Sequence, residues 1–264
     1  MRVGDLEIVP IFDGTGKEQG REVLTRPGVD DPWACHPDVL DADGVLHLDL
    51  GGFLLRTGDR VVLIDAGVGR IDNGQYAGGA FLDNLAAVGV QPGDVTDVVL
   101  THLHFDHVGW TTSKGAVVFP GATYRAHQAD WAHFVEAPGA AAGAVKKLSP
   151  IKGQLELFDA GHTIAPGLDA RPAPGHTPGS TVYVVSSGSA RALLLGDVVH
   201  SVAELAEPDW EAVFDVDPKA ARVVRNAIAD EVADTQTIVA PAHFPGLAFG
   251  RVVTTSGNRR WSAI

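Results

Sequence analysis

The feature that most constrains this chain is a buried-strand pattern, DVVL, followed at once by the segment THLHFDHVG (residues 97–109). Three imidazoles and one carboxylate fall within six residues of it. Alternate residues of an extended chain share a face, so His102 and His104 can point to the same side where the strand ends. Asp106 and His107 lie beyond the turn and can face a second position. The spacing therefore predicts a metal site with room for two ions.

The same pattern occurs three more times. An apolar run ends and a histidine or an aspartate follows, at His176, Asp197 and His243. If these strand ends meet at one edge, they bring together five histidines and two aspartates. This donor set suits two Zn²⁺ ions and also accepts Mn²⁺, Fe²⁺ or Co²⁺. One ion would bind His102, His104 and His176, the other Asp106, His107 and His243, with the carboxylate of Asp197 bridging both.

Strand and helix patterns alternate along the chain, which indicates a layered α/β architecture. Residues 52–57 and 60–65 form a predicted hairpin around a Gly-Asp turn. Asp65 ends its second strand, and we expect it to accept a hydrogen bond from a metal-binding histidine or from turn amides. Helices are predicted over 81–88 and after Asp217, which is placed to cap a helix that begins with proline.

With 264 residues and 27.6 kDa, the chain is predicted to form one domain over 1–264. A strand at residues 6–12 is expected to run into a loop, and residues 17–50 are predicted to be a loop-rich arm with Trp33 as its buried anchor. The arm could line a substrate entrance, cover a homodimer interface or pack against the domain.

The formal net charge of -13 and a pI near 5.1 argue against binding to nucleic acid or to an anionic membrane surface. Cys35 is the only cysteine, which excludes an intrachain disulfide and a cysteine-based zinc site. The first residues lack a signal-peptide pattern and no run is long and apolar enough to span a membrane. We therefore expect a cytoplasmic protein that acts on a small molecule.

The segment from His102 to His107 reads HxHxDH, and IDAG at 64–67, GHTPG at 175–179, GD at 196–197 and AH at 242–243 accompany it. With these motifs the chain resembles the metallo-β-lactamase-fold hydrolase superfamily over residues 6–251, and most of all its lactonase and organophosphate-hydrolase-like branch. The resemblance implies an αββα sandwich of two mixed β-sheets flanked by helices, with two metal ions, most often zinc, at one edge of the sheets.

The resemblance also implies a reaction. A hydroxide that bridges two metal ions would attack a lactone, a carboxylic ester or a phosphotriester. Asp106 would orient this hydroxide or pass its proton to the leaving group. His200, three residues after Asp197, either donates a hydrogen bond to the substrate or packs in the core. Lactonases of the superfamily carry a tyrosine in that neighbourhood, so His200 departs from their pattern.

Several aromatic residues could line an apolar cleft above the metals, although core packing is the more frequent role for each of them taken singly. They are Phe53, Phe105, Trp110, Phe244, and Trp33 or Trp210. The other histidines are predicted to be surface or helix-lid residues: His36, His47, His127, His133 and His162.

Other activities of the superfamily fit less well. Broad-spectrum β-lactamases are normally exported, and many use a cysteine ligand where Asp197 stands here. Glyoxalase-type thioesterases carry a helical C-terminal domain, and only residues 244–264 follow the last predicted ligand. Di-iron redox members have a glutamate at the position of His104. A metal-binding protein without activity would have lost some of the ligands that this chain retains.

Overall fold

The structure is a computed structural model that describes residues 1–264. In chain order the strands are β1 (Arg2–Val3), β2 (Leu6–Gln19), β3 (Leu24–Thr25), β4 (Val45–Thr57), β5 (Arg60–Ile64), β6 (Ile71–Asp72), β7 (Tyr76–Gly78), β8 (Asp97–Val99), β9 (Thr112–Ser113), β10 (Ala116–Val117), β11 (Thr123–His127), β12 (Leu155–Phe158), β13 (His162–Ala165), β14 (Leu168–Pro172), β15 (Thr181–Ser187), β16 (Ala190–Gly196), β17 (Glu211–Ala212), β18 (Ile238–Pro241), β19 (Gly250–Thr255) and β20 (Asn258–Ala263).

Six α-helices and several shorter turns join these strands. The helices are α1 (Gly20–Val23), α2 (Phe81–Ala87), α3 (Gln128–Trp131), α4 (Ala142–Leu148), α5 (Val202–Ala206) and α6 (Pro218–Val232). A π-helical turn over Ala132–Glu136 extends α3, and 3₁₀ turns cover Pro32–Cys35, Pro92–Asp94, Ser149–Gln154 and Pro245–Leu247.

The strands form two large mixed sheets. The first has nine strands in the order β12-β11-β8-β5-β4-β2-β7-β6, with β1 paired to β2. The second has seven strands in the order β13-β14-β15-β16-β18-β19-β20. Pairing is parallel between β12, β11, β8 and β5 in the first sheet and between β16 and β18 in the second. The carboxyl ends of these parallel strands carry most of the predicted site residues.

Apolar side chains of the two sheets face each other and form a central core of 20 buried residues. A second cluster packs α2, α3 and α4 on the outer face of the first sheet, and a third packs α5 and α6 on the outer face of the second. This is the predicted αββα sandwich, so the fold prediction is confirmed. Helix α6 begins as predicted, because the Asp217 side chain accepts a hydrogen bond of 3.0 Å from the Ala220 amide.

The prediction that the first long strand ends at Phe12 is wrong. Strand β2 continues to Gln19 and pairs with β4, with a bulge between Phe12 and Gly14. The glycines after Phe12 predict a loop, but in the structure they allow strand β7 to lie close to β2. A Cβ atom on Gly14 would lie 1.9 Å from the Ala77 carbonyl oxygen. Strand β13 was not predicted either.

The predicted arm is shorter than residues 17–50, because β2 reaches Gln19 and β4 begins at Val45. Its anchor is confirmed: Trp33 is buried and its ring centroid lies 4.8 Å from that of Trp210. Strand β3 of the arm pairs with β17, so the arm packs against the segment that precedes α6. No helix of the structure has both the length and the apolar surface that crossing a bilayer requires.

Candidate metal centre

The seven predicted ligands come together beyond the carboxyl ends of β8, β14, β16 and β18. They form two groups, and within each group the candidate ligand atoms lie within 4.8 Å of one another. The first group is His102, His104, His176 and Asp197, and the second is Asp106, His107 and His243. The sequence pattern therefore identified residues that the fold brings to one place.

The carboxylate of Asp197 lies between the two groups. Its Oδ1 is 3.2 Å from Nε2 of His107 and 3.0 Å from Nε2 of His243. Its Oδ2 is 3.5 Å from Nε2 of His176 and 3.7 Å from Nε2 of His102. Oδ2 also lies 3.1 Å from Nε2 of His243. The carboxylate of Asp197 therefore contacts histidines of both groups, as a carboxylate shared by two metal ions would.

The donor atoms fit a pair of divalent cations. His107 Nε2 and Asp197 Oδ1 are buried without a hydrogen-bond partner, which is costly unless a further group satisfies them. His104 Nδ1 lies 3.0 Å from His102 Nε2 and 2.9 Å from His176 Nε2, so ring nitrogens converge. Burial and the neighbouring imidazole of His176 lower the pKa of His104 to about 3. A neutral imidazole is the form that binds a metal ion.

Hydrogen bonds from outside the two groups orient their histidines. Nδ1 of His107 lies 2.8 Å from Oδ2 of Asp65, which is the predicted contact of that aspartate with a site histidine. Asp65 also accepts hydrogen bonds from the amide and the hydroxyl of Thr101, both at 2.8 Å. Nδ1 of His243 lies 3.1 Å from the Asp49 carbonyl oxygen. Such contacts fix the ring orientation of metal ligands.

Two aspartates of the site were not predicted. Asp215 accepts at 2.9 Å from Nδ1 of His176, although 39 residues separate them. Asp130 is buried and accepts from the amides of Leu103 (3.1 Å) and Gly179 (2.6 Å). Asp130 therefore joins the loop after β8 to the loop that carries His176. The only sequence signal for Asp130 is that this charged residue directly precedes the apolar Trp131.

His200 lies beside the centre and is buried. Its Nε2 is 3.7 Å from Asp197 Oδ2, and its Nδ1 is 3.4 Å from a carboxylate oxygen of Glu204. Burial alone would lower the pKa of His200, but the negative charges of Glu204, Asp197 and Asp215 outweigh it and raise the pKa to about 9. Neither ring nitrogen makes a hydrogen bond; Nδ1 faces Glu204, which leaves Nε2 for a substrate.

A cleft of about 170 Å³ opens above the two groups. Phe105, one of the candidate lining residues, is 49% exposed there, and its ring lies 5.0 Å from that of Tyr76. The remaining apolar wall is formed by residues that were not predicted to line it: Leu48, Tyr76 and Phe214.

The other aromatic residues named as candidates for the cleft pack elsewhere. Phe53 packs between the sheets, and the buried Trp110 donates its indole N–H to Asp13 at 2.9 Å. The ring of Phe244 packs 4.9 Å from that of Trp261. Trp33 and Trp210 belong to the cluster under the arm. Each of these side chains is apolar enough for the cleft wall or for the interior, so the sequence pattern alone could not decide between the two.

Comparison with known proteins places this geometry in a family. The family described as the metallo-beta-lactamase superfamily matches residues 52–243. The human metallo-beta-lactamase domain-containing protein 1 is 33% identical over 186 residues, which are 70% of this chain. The match spans 58% of the length of that human relative.

Two solved structures are similar over nearly the whole chain. The dizinc quorum-quenching lactonase AidC, in complex with the product N-hexanoyl-L-homoserine, has a TM-score of 0.88 and 25% identity, with 99% of this chain and 95% of AidC covered. The hydrolase AbOPH of the beta-lactamase superfamily has a TM-score of 0.85 and 26% identity, with 100% and 96% covered. The predicted likeness to the lactonase branch is confirmed, and the chain belongs to the metallo-beta-lactamase superfamily.

Proposed function

We propose that the protein is a dinuclear metal-dependent hydrolase that cleaves an ester-type bond in a lactone, a carboxylic ester or a phosphotriester. The observation that carries the proposal is the position of Asp197, whose carboxylate contacts histidines of both groups: Oδ1 lies 3.0 Å from Nε2 of His243, and Oδ2 lies 3.5 Å from Nε2 of His176. The similarity to a dizinc lactonase and to a second hydrolase of the superfamily supports the same reaction class.

In this proposal His102, His104 and His176 hold one ion, and Asp106, His107 and His243 hold the other, with Asp197 shared. Zinc is the first choice because the donors are mainly imidazoles, although Mn²⁺, Fe²⁺ or Co²⁺ also accept such a set. Two bound divalent cations would supply the Lewis acidity that lowers the pKa of a water molecule and polarises the scissile bond.

Asp106 has the proton-transfer role. It lines the cleft, and its Oδ2 lies 3.5 Å from Nε2 of His243 and 3.6 Å from Nε2 of His107. Its carboxylate can therefore accept a hydrogen bond from the attacking water, take up its proton and return that proton to the leaving group. A carboxamide at this position could not hold the proton.

His200 and the apolar wall bind the substrate. His200 lines the cleft with an unpartnered Nε2, which can donate a hydrogen bond to the oxygen on which charge develops. Phe105, Tyr76 and Phe214 offer an apolar surface next to it. A cleft with one polar end and one apolar wall favours a neutral substrate that carries an apolar group.

The experiment is a substrate panel on the metal-loaded protein, with Asp106→Asn as the matched control. The panel contains N-acyl homoserine lactones, simple lactones, aryl esters, phosphotriesters, β-lactams and a glutathione thioester. We expect hydrolysis of a lactone, an ester or a phosphotriester by the wild-type chain and a large loss in the variant. Equal rates for the two proteins on every substrate would refute the proposal. A cytoplasmic location and a homodimer stay predictions.

A further inference from the structure

Glu204, on α5, is a fully buried carboxylate beside the proposed site. Its Oε2 accepts hydrogen bonds from the backbone amides of His200 at 2.6 Å and Ser201 at 2.9 Å. The same oxygen lies 3.4 Å from Nδ1 of His200. The side chain of Glu204 therefore contacts both the main chain and the ring of His200.

Capping of α5 explains only part of this arrangement. Ser201 and Glu204 form a capping box, in which the glutamate accepts from the Ser201 amide. A capping glutamate has no need to be buried or to bind the preceding residue, and α5 has only five residues. Burying a carboxylate is costly, so a further reason for its position is needed.

Arg225 completes the arrangement from α6. Its Nη1 lies 3.0 Å from Glu204 Oε1, and the two side chains are 1% and 0% exposed. A second guanidinium nitrogen donates to the carbonyl oxygen of Trp210. A buried carboxylate paired in this way stays charged and keeps one orientation. One oxygen of Glu204 is thus held by Arg225, which leaves the other for His200 and Ser201.

We propose that Glu204 is a positioning residue for the reaction: it holds His200 so that Nδ1 faces the carboxylate and Nε2 faces the cleft. The 3.4 Å contact is long for a hydrogen bond, but such contacts commonly shorten when a substrate binds. This inference rests on the proposed hydrolase function and on the substrate-binding role of His200 within it.

The test is a double-mutant cycle between Glu204→Gln and His200→Phe, with metal content and thermal unfolding measured for each variant. The assay substrate is either 4-nitrophenyl butyrate or N-hexanoyl-L-homoserine lactone, whichever the wild-type protein hydrolyses faster. Losing one oxyanion donor reduces turnover by roughly ten- to a thousandfold, which is the expectation for His200→Phe. In Glu204→Gln the ring of His200 should be misplaced, and kcat should therefore be about ten- to a hundredfold lower than in the wild type.

The two effects should not multiply. If Glu204 acts through His200, adding Glu204→Gln to His200→Phe should change kcat by less than about twofold. The control is Glu207→Gln. Glu207 directly follows α5, and its carboxylate contacts His36 and Trp210 rather than His200, so this variant should keep the wild-type kcat. Glu204→Gln leaves the buried Arg225 without its partner, so this single variant could fail to fold. In that case the double variant Glu204→Gln/Arg225→Gln takes the place of Glu204→Gln throughout the cycle.

Two results would overturn the inference alone: a wild-type kcat in the folded, metal-loaded glutamine variant, or losses that multiply in the combined variant. A wild-type kcat in His200→Phe would overturn it as well, because Glu204 would have no partner through which to act. If the metal-loaded wild type hydrolyses no member of the substrate panel, the proposed function itself fails, and the inference fails with it.

Discussion

Asp65 and His107 are joined by a contact between the loops that follow the neighbouring parallel strands β5 and β8, with Oδ2 of the aspartate 2.8 Å from Nδ1 of the histidine. Asp65 follows β5, and His107 lies in the loop after β8, which is the parallel neighbour of β5. The backbone of Asp65 has a φ of 64°, a conformation that costs energy for a residue with a side chain. Its three hydrogen bonds offset this cost and orient the ring.

Replacing Asp65 with asparagine should weaken metal binding. The carboxylate accepts from His107 and twice from Thr101, using both oxygens, whereas an amide offers one acceptor atom. We expect about a ten- to hundredfold loss of metal affinity, measured by competition with a chromogenic chelator. Asp59→Asn, in the exposed turn of the same hairpin, should leave the affinity unchanged. Equal affinities for both variants would contradict the role of Asp65.

Asp106→Asn should abolish most of the hydrolysis while leaving the fold intact. Asp106 faces the cleft and not the core, so its loss removes a proton acceptor without opening a cavity. A loss of about a hundredfold or more in kcat is expected from the usual contribution of general acid–base groups. The measurement is steady-state turnover of an aryl ester or lactone beside thermal unfolding of both proteins. Full turnover in a metal-loaded variant would contradict the mechanism.

Phe105→Ala should weaken the binding of substrates with a large apolar group. The ring is half exposed in the cleft, so covering it with substrate contributes about 1 kcal/mol and its removal should raise KM roughly fivefold. A series of esters with increasing acyl length measures this, since the effect should grow with length. Phe12→Ala removes a similarly exposed ring outside the cleft and should not change KM. A uniform effect across the series would argue against an apolar wall at Phe105.

The buried carboxylate of Asp97 should stabilise the fold at neutral pH and lose this effect in acid. Burial by itself would raise the pKa of Asp97, but hydrogen bonds from Arg60, Thr96 and Arg125 outweigh it and lower the pKa below its ordinary value. Because the folded-state pKa is lowered, the stabilisation is present above the ordinary carboxyl pKa of about 4 and is lost as the pH falls through the folded-state pKa.

Asp97→Asn should therefore lower the free energy of unfolding by about 3 kcal/mol or more at pH 7, since it leaves two guanidinium groups without their shared partner. Denaturant unfolding at several pH values measures this, and the gap to wild type should narrow toward pH 3. Asp83→Asn, on the exposed surface of α2, should stay within about 0.5 kcal/mol of wild type. A gap that is constant with pH would show that the charge of Asp97 is not responsible.

Local sequence patterns were sufficient to predict the position of a residue when its neighbours in the sequence determine that position. His102 to His107 follow directly on β8, and Asp217 caps the helix that it precedes, so neighbouring residues determine both. The αββα layers were predicted through the resemblance that these motifs carry. The seven candidate ligands could be named because each one follows an apolar strand.

Contacts between distant segments could not be predicted in this way. Asp215 binds His176, and Arg225 binds Glu204, at separations of 39 and 21 residues, and no local period encodes either pair. Tyr76 reaches the cleft from a short strand in a glycine-rich segment that reads as a turn. Composition shows that Trp110 and Phe244 are apolar, but only the fold decides that they pack in the interior while Phe105 stays exposed.

The central claim is that Asp197 joins two metal positions in a hydrolytic centre. The most direct test is to remove metal with a chelator, add zinc stepwise, and measure bound metal per chain by elemental analysis together with ester or lactone hydrolysis. The account predicts an inactive metal-free protein, activity that returns with metal, and saturation close to two ions per chain. Hydrolysis at the full rate with only trace metal, or full activity at one ion per chain, would contradict it.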